Sequence, residues 1–181
     1  MDPVARVGSP APDFALRDLD GGVHRLADAR GRVRVLVFWS AECPHSERAD
    51  QILASLRPGW GRRVVVWWVA SNANEEEAER LRAAARHVQA EPVLVDADQS
   101  VADLYGALTT PHVFVLDAAG VLRYAGAPDD VAFRQPAPTR HYLADAVQAL
   151  LDGRNPDPDS TSPFGCALVR AFGPARRSLT P

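Results

Sequence analysis

Lysine is absent from the 181 residues, methionine occurs once, and cysteine occurs only twice, at Cys43 and Cys166. All 20 basic side chains are arginine, which reads as a compositional habit of the source and carries no function of its own. Two cysteines are too few for a disulfide scaffold. A zinc site built from this widely separated pair would need help from distant histidines. A large excess of one charge is also missing. The 23 acidic and 20 basic residues leave a net charge of -3, so no broad basic field for nucleic acid is implied. Long hydrophobic runs are missing too. The longest, Val33 to Trp39 (broken by Arg34) and Val64 to Ala70, have seven residues each, whereas a membrane helix needs about 20. The opening Met1-Asp2-Pro3-Val4-Ala5-Arg6 lacks the apolar core of a signal peptide. The expectation is a soluble, cytoplasmic protein with neither membrane nor nucleic-acid partners. In that compartment a reactive thiol is catalytic or redox-active more often than structural.

What is present argues for a folded α/β domain. Hydrophobic residues make up 46% and charged residues 24%, which excludes a disordered chain. Val33–Trp39 and Val64–Ala70 are β-branched and aromatic runs expected to be buried strands. A helix is expected from Pro44 to about Leu56, with Gly59 just past its end. Ser71-Asn72-Ala73-Asn74 supplies caps for a helix reaching about His87. Glu75-Glu76-Glu77 is expected to be solvated in its first turn, where the dipole favours negative charge. Pro92–Val95 reads as a short strand, followed by a helix capped by Asp98 and stopped after Tyr105 by Gly106. His112–Asp117 and Val121–Ala125 read as a hairpin, and Arg140–Asp152 as an amphipathic helix ending at Gly153. This alternation predicts a mainly parallel central sheet, with the final hairpin adding antiparallel strands. Residues 1–32 form an N-terminal hairpin extension turning at Asp18-Leu-Asp-Gly-Gly22. Residues 33–153 form the core, and residues 154–181 an extended C-terminal tail carrying Cys166.

The chemically loaded segment is Phe38-Trp39-Ser40-Ala41-Glu42-Cys43-Pro44-His45-Ser46. Cys43 falls between a buried strand and a helix start, where backbone N–H groups and the helix dipole stabilise a thiolate. His45 adds a nearby donor or cation. Glu42 opposes it if close and ionised. The other histidines, His24, His87, His112 and His141, show no ligand spacing, and no metal or cofactor is expected.

Phe38-Trp39, three residues, then Cys-Pro resembles the active-site segment of thioredoxin-fold proteins of the TlpA and redoxin type, and Cys-Pro-His resembles the loop of the DsbA oxidases. Those proteins usually carry a second cysteine where this chain has Ser46, leaving a monothiol Cys-x-x-Ser. The serine cannot close the disulfide that releases a substrate, but it can donate a hydrogen bond to the Cys43 thiolate. Gly8-Ser-Pro-Ala-Pro-Asp-Phe14, Ser71-Asn72, Asp98 to Gly106, Thr110-Pro111, Tyr124 to Asp130 and Gly165-Cys166 are together similar to the peroxiredoxin-like branch of the AhpC/TSA superfamily. The resemblance implies a thioredoxin-like fold, a central mixed sheet flanked by helices, with a cis-proline at Pro111 facing Cys43. It gives Asp129-Asp130 as a recurring feature, by default a cap or turn.

The resemblance implies thiol-disulfide exchange on a protein or small-molecule disulfide, or peroxide reduction, with an external thiol as reductant. Peroxiredoxins proper place a proline seven residues before the peroxidatic cysteine and a threonine or serine three before it. Here those positions are Leu36 and Ser40. A third reading is a binding module without turnover. The catalytic candidates are Cys43, His45, Ser46 and Cys166, and the substrate-binding candidates are Trp39, Ser40, Thr110 and Pro111. Two roles stand open for Cys166. It is either a resolving thiol brought to Cys43 by a mobile tail, or a small packed side chain docked by Phe164 and Leu168. Trp39, Trp67 and Trp68 lie on strand runs, so core packing is expected of at least two.

Overall fold

The computed structural model describes residues 5–85 and 92–171. The fold grows from its two greasiest segments. Strands β3 (Val33–Trp39) and β4 (Val64–Ala70) are buried at every position and pair in parallel, from Val33 opposite Val64 to Trp39 opposite Ala70. Strand side chains alternate between faces, so a run that is apolar throughout must be covered on both sides. Val35, Val37, Trp39, Val66 and Trp68 pack with Leu53, Trp60, Leu143 and Val147 on one side. Leu36, Phe38, Val65, Trp67 and Val69 pack with Leu26, Val101, Tyr105 and Phe114 on the other. Each fully buried side chain of this kind contributes about 1.5–3 kcal/mol. All three tryptophans on these strands are therefore core residues. The charge that breaks the first run, Arg34, is also buried. Its guanidinium donates to the carbonyls of Leu26, Asp117 and Ala118.

The sheet is completed by β1 (Ala15–Asp18), β2 (Val23–Arg25), β5 (Val93–Val95), β7 (His112–Leu116) and β8 (Leu122–Gly126), in the order β2-β1-β5-β4-β3-β7-β8. Only the β5, β4 and β3 pairings are parallel. The others are antiparallel, so the sheet is mixed and not mainly parallel. The reason is that β1, the first strand of the N-terminal hairpin, pairs with β5 and extends the same sheet. The hairpin turn is closed by Asp18, whose carboxylate accepts from the amides of Asp20 and Gly22.

Helix α1 (Pro44–Trp60) runs past the expected stop, through Pro58 and Gly59, to a C-cap at Gly61. Trp60 is buried in the core, and that packing outweighs the local preference for an earlier end. Helix α2 (Glu77–Ala84) starts two residues later than expected. Glu76 and Glu79 form a reciprocal capping box, leaving Glu75 outside the helix. The expected end at His87 lies outside the described residues. Helix α3 (Ser100–Tyr105) is capped by two carboxylates. Asp98 accepts from the Ser100 amide, and buried Asp96 accepts from those of Val101 and Ala102. Helix α4 (Tyr142–Leu151) covers the first face.

The described part of the C-terminal segment, residues 154–171, is tied to the domain. Thr161 receives the Ala127 amide and shares a hydrogen bond with the Tyr124 hydroxyl. Farther on, β9 (Cys166–Ala167) pairs antiparallel with β6 (Thr109–Thr110), placing Cys166 opposite Thr110. Leu168 is buried in the second core face. Among the described residues no helix is long and apolar enough to cross a membrane.

Candidate functional site

Cys43 lies where β3 leaves the sheet and is the N-cap of α1, with Pro44 in the first turn. Proline suits that position because its missing N–H would have no helical partner there. The thiol is only 4% exposed and donates to the carbonyl of Thr110 at 3.0 Å. The Thr110–Pro111 bond is cis, as the resemblance implied. A second cis bond, Asp157–Pro158, carries no local sequence signal.

Burial pushes the Cys43 pKa up, but polar contacts from Cys166, the Ser46 backbone and Thr110 outweigh it, leaving the pKa below the ordinary thiol value. The Thr110 hydroxyl is itself buried without a hydrogen-bond partner among the described residues. Cys166 is pushed the opposite way, upward, by burial and by its contact with Cys43. The first proton therefore leaves Cys43, while Cys166 keeps its own and donates it to the thiolate. Both cysteines are free. They are brought together not by a mobile excursion but by the β6–β9 pairing.

That pairing depends on a missing methyl group. A Cβ on Gly165 would stand 2.2 Å from the Thr110 oxygen and 3.0 Å from the Pro111 ring. Only glycine lets the tail approach the cis-proline loop so closely. The next aromatic inward, Phe164, packs edge-on against His45 at 5.1 Å and against Phe133 at 5.2 Å between ring centroids.

The other expected site residues divide. Thr110 and Pro111 stand with the two cysteines. His45 packs against Phe164 and is not among the groups that lower the Cys43 pKa. The Ser46 hydroxyl accepts from the Ser40 amide at 3.1 Å, and the Ser46 backbone N–H donates to the Cys43 carbonyl at 3.0 Å. Trp39 is a buried core residue. Its indole N–H donates to Asp50, which also receives that of Trp68. Ser40 is buried as well, and its hydroxyl donates to Glu75.

Glu75 overturns the expectation of a solvated acidic helix start. It is 6% exposed, accepts from Ser40 and from the Asn72 amide at 3.1 Å, and lies 4.0 Å from the Arg80 guanidinium. A triple-glutamate run carries no signal that its first member turns inward. The available hint was the Ser71-Asn72 pair just before it. Asp129 is likewise buried, in a bidentate pair with Arg48. Asp130 organises the following loop by accepting from Gln135, Thr139 and the Arg140 amide. Arg48 and Asp129 close one side of a small, open recess that His45, Pro111, Val131 and Phe164 also line. No cluster of metal-ligating side chains occurs among the described residues.

Comparison with known proteins agrees with this architecture. The family model described as AhpC/TSA family matches residues 7–125, so β9 and Cys166 lie beyond the matched segment. Thiol-disulfide oxidoreductase ResA of Geobacillus thermodenitrificans is 34% identical over 117 residues, covering 65% of this chain and 67% of that protein. The crystal structure of a hypothetical protein from Sinorhizobium meliloti 1021 superposes with a TM-score of 0.82 at 28% identity, covering 93% of this chain and 96% of the other. A Chlorobium tepidum chain described as a thiol:disulfide interchange protein DsbE gives 0.61 at 24% identity, over 67% and 84%, and shares the thioredoxin-like fold.

Proposed function

The chain belongs to the AhpC/TSA family, and from that premise we propose that it is a thiol-disulfide oxidoreductase in which Cys43 is the nucleophile and Cys166 the resolving thiol. The observation that carries the reading is the β6–β9 pairing, which sets Cys166 opposite Thr110, the residue whose carbonyl receives the Cys43 thiol, in a motif whose usual second cysteine is Ser46. The similarity to thiol-disulfide oxidoreductase ResA supports the same chemistry. The Cys43 thiolate attacks one sulfur of a substrate disulfide, and the other leaves as a thiolate. Cys166, deprotonated, then attacks the Cys43 sulfur and expels the second substrate thiolate. The product is a Cys43–Cys166 disulfide, which an external thiol returns to the dithiol state.

The deep burial of Cys43 favours a second, small-substrate reading. A hydroperoxide would oxidise Cys43 to a sulfenic acid with loss of an alcohol or water, and Cys166 would condense with it, releasing water. Ser40, at the position of the peroxiredoxin hydroxyl, is committed to Glu75 and does not assist this step. The two readings are separated by assaying insulin reduction beside hydroperoxide consumption. Cys43→Ser should abolish whichever activity is present. Cys166→Ser should leave single-turnover attack but no intramolecular disulfide. Full activity of Cys43→Ser in both assays would remove Cys43 from the mechanism, and no turnover of either substrate by the wild type would leave the fold as a binding module.

A further inference from the structure

Beyond β9, the backbone of residues 169–171 is held by two buried amide side chains, beside the Arg170 guanidinium, which donates to Asp103 at 2.6 Å and to the Ala107 carbonyl at 2.8 Å. The Val169 N–H donates to Asn72 Oδ1 at 2.9 Å, and the Val169 carbonyl receives the Gln99 side-chain amide at 2.8 Å and the Ala73 N–H at 3.1 Å. The Ala171 N–H donates to Gln99 Oε1 at 2.8 Å. None of these main-chain bonds reads a tail side chain. Gln99 is the only non-glycine residue with positive φ (61°) among the described residues, a conformation that persists only where surrounding contacts enforce it. Its amide also donates to the Ser71 carbonyl, tying the two clamp segments together. Asn72 continues inward. Its amide donates to Glu75, Glu75 accepts from Ser40, and the Ser40 N–H donates to the Ser46 hydroxyl beside Cys43. A continuous hydrogen-bonded path thus joins the tail seat to the loop carrying the nucleophile.

We propose that Asn72 and Gln99 are positioning residues: a main-chain clamp that seats residues 169–171 and so holds Cys166 against Cys43 for the resolving step. The proposal rests on the reading that Cys166 resolves Cys43. The clamp does two opposed things. Seated, the tail covers Cys43 and slows the first attack on a bulky disulfide. It also keeps Cys166 within bonding reach and speeds the second step.

The probe is one equivalent of dithiobis(nitrobenzoate), a symmetric aryl disulfide with a coloured thiolate. Cys43 attack forms a mixed disulfide and releases the first nitrothiobenzoate. Cys166 attack on the Cys43 sulfur breaks that bond, closes the Cys43–Cys166 disulfide and releases the second. Asn72→Ala, and separately Gln99→Asn, which keeps a side chain tolerant of positive φ, should slow the second release by up to about tenfold, as expected for the loss of the one tail hydrogen bond made by Asn72 or the two made by Gln99, while the first release holds or quickens. An unchanged second release, or both releases altered by the same factor, would overturn the clamp. Cys166→Ser tests the underlying reading separately. A second release that persists in it at the wild-type rate sinks the resolving role, whereas its loss there beside normal kinetics in both clamp variants sinks the clamp alone.

Discussion

At the scale of single residues, the reactivity of Cys43 is set by its neighbours and not by its motif. The helix start contributes the Ser46 N–H, but the remaining donors come from β6 and β9, far away in the chain. The rate of alkylation by iodoacetamide against pH should therefore show a Cys43 midpoint below the ordinary thiol value of about 8.5. Cys166→Ala should move that midpoint upward by removing a donor to the thiolate, and Cys166→Ser, which keeps a hydroxyl donor, should move it less. A midpoint at or above 8.5 in the wild type would contradict the activated thiolate. The cis-proline, Cys43 at the start of α1 and the second cysteine were legible in the sequence because each sits in a recognisable short pattern. Glu75, Asn72 and Gln99 were not, since their partners are Ser40 and the backbone at Val169, contacts that exist only after the sheet has formed. His45 shows the converse. Adjacency in sequence suggested a partner for the thiol, but its ring packs against Phe164 instead.

At the scale of elements, the strands were the most legible, because runs of valine and tryptophan buried on both faces leave little choice. Boundaries were lost where packing overruled local preference, as at Trp60, which carries α1 beyond a proline, and at Glu76, whose capping box starts α2 late. The two-stranded β6–β9 ribbon was invisible, being too short for periodicity to register. Its existence hangs on Gly165. Gly165→Ala places a methyl group against the Thr110 carbonyl, and the tail must lift to make room. Cys43 in that variant should alkylate faster than wild type at neutral pH, while formation of the Cys43–Cys166 disulfide, read by non-reducing peptide mapping after mild oxidation, should slow by at least tenfold. Wild-type behaviour in both measurements would mean that the ribbon does not govern access.

At the scale of the whole molecule, one seven-stranded sheet joins the N-terminal hairpin to the central strands, and the C-terminal segment returns across it, so all parts share a common stability. His112, buried on β7, accepts from the Leu108 N–H at 3.3 Å, and burial pushes its pKa down to about 4 from an ordinary value near 6.5. The folded state therefore binds this proton less readily than the unfolded one. Full stability should hold above about pH 6.5 and decline as pH falls toward 4, with about 3 kcal/mol attributable to this histidine. Urea midpoints across that window should fall less steeply for His112→Asn, whose amide oxygen can replace the ring acceptor. Parallel slopes for the two proteins would assign the acid sensitivity elsewhere.

The antiparallel match of Thr110 with Cys166 also makes the distance between Thr161 and the second thiol a matter of counting. Because side chains on a strand alternate sides, a frame shift of one residue in that stretch would swing the sulfur to the reverse side of the ribbon and present a neighbour in its place. Apart from Gly165, the stretch between the anchor and the cysteine needs a fixed number of residues more than any particular chemistry. Away from that glycine, substitutions are tolerable in a way that insertions and deletions are not, and the meeting of the two thiols is written partly in the spacing.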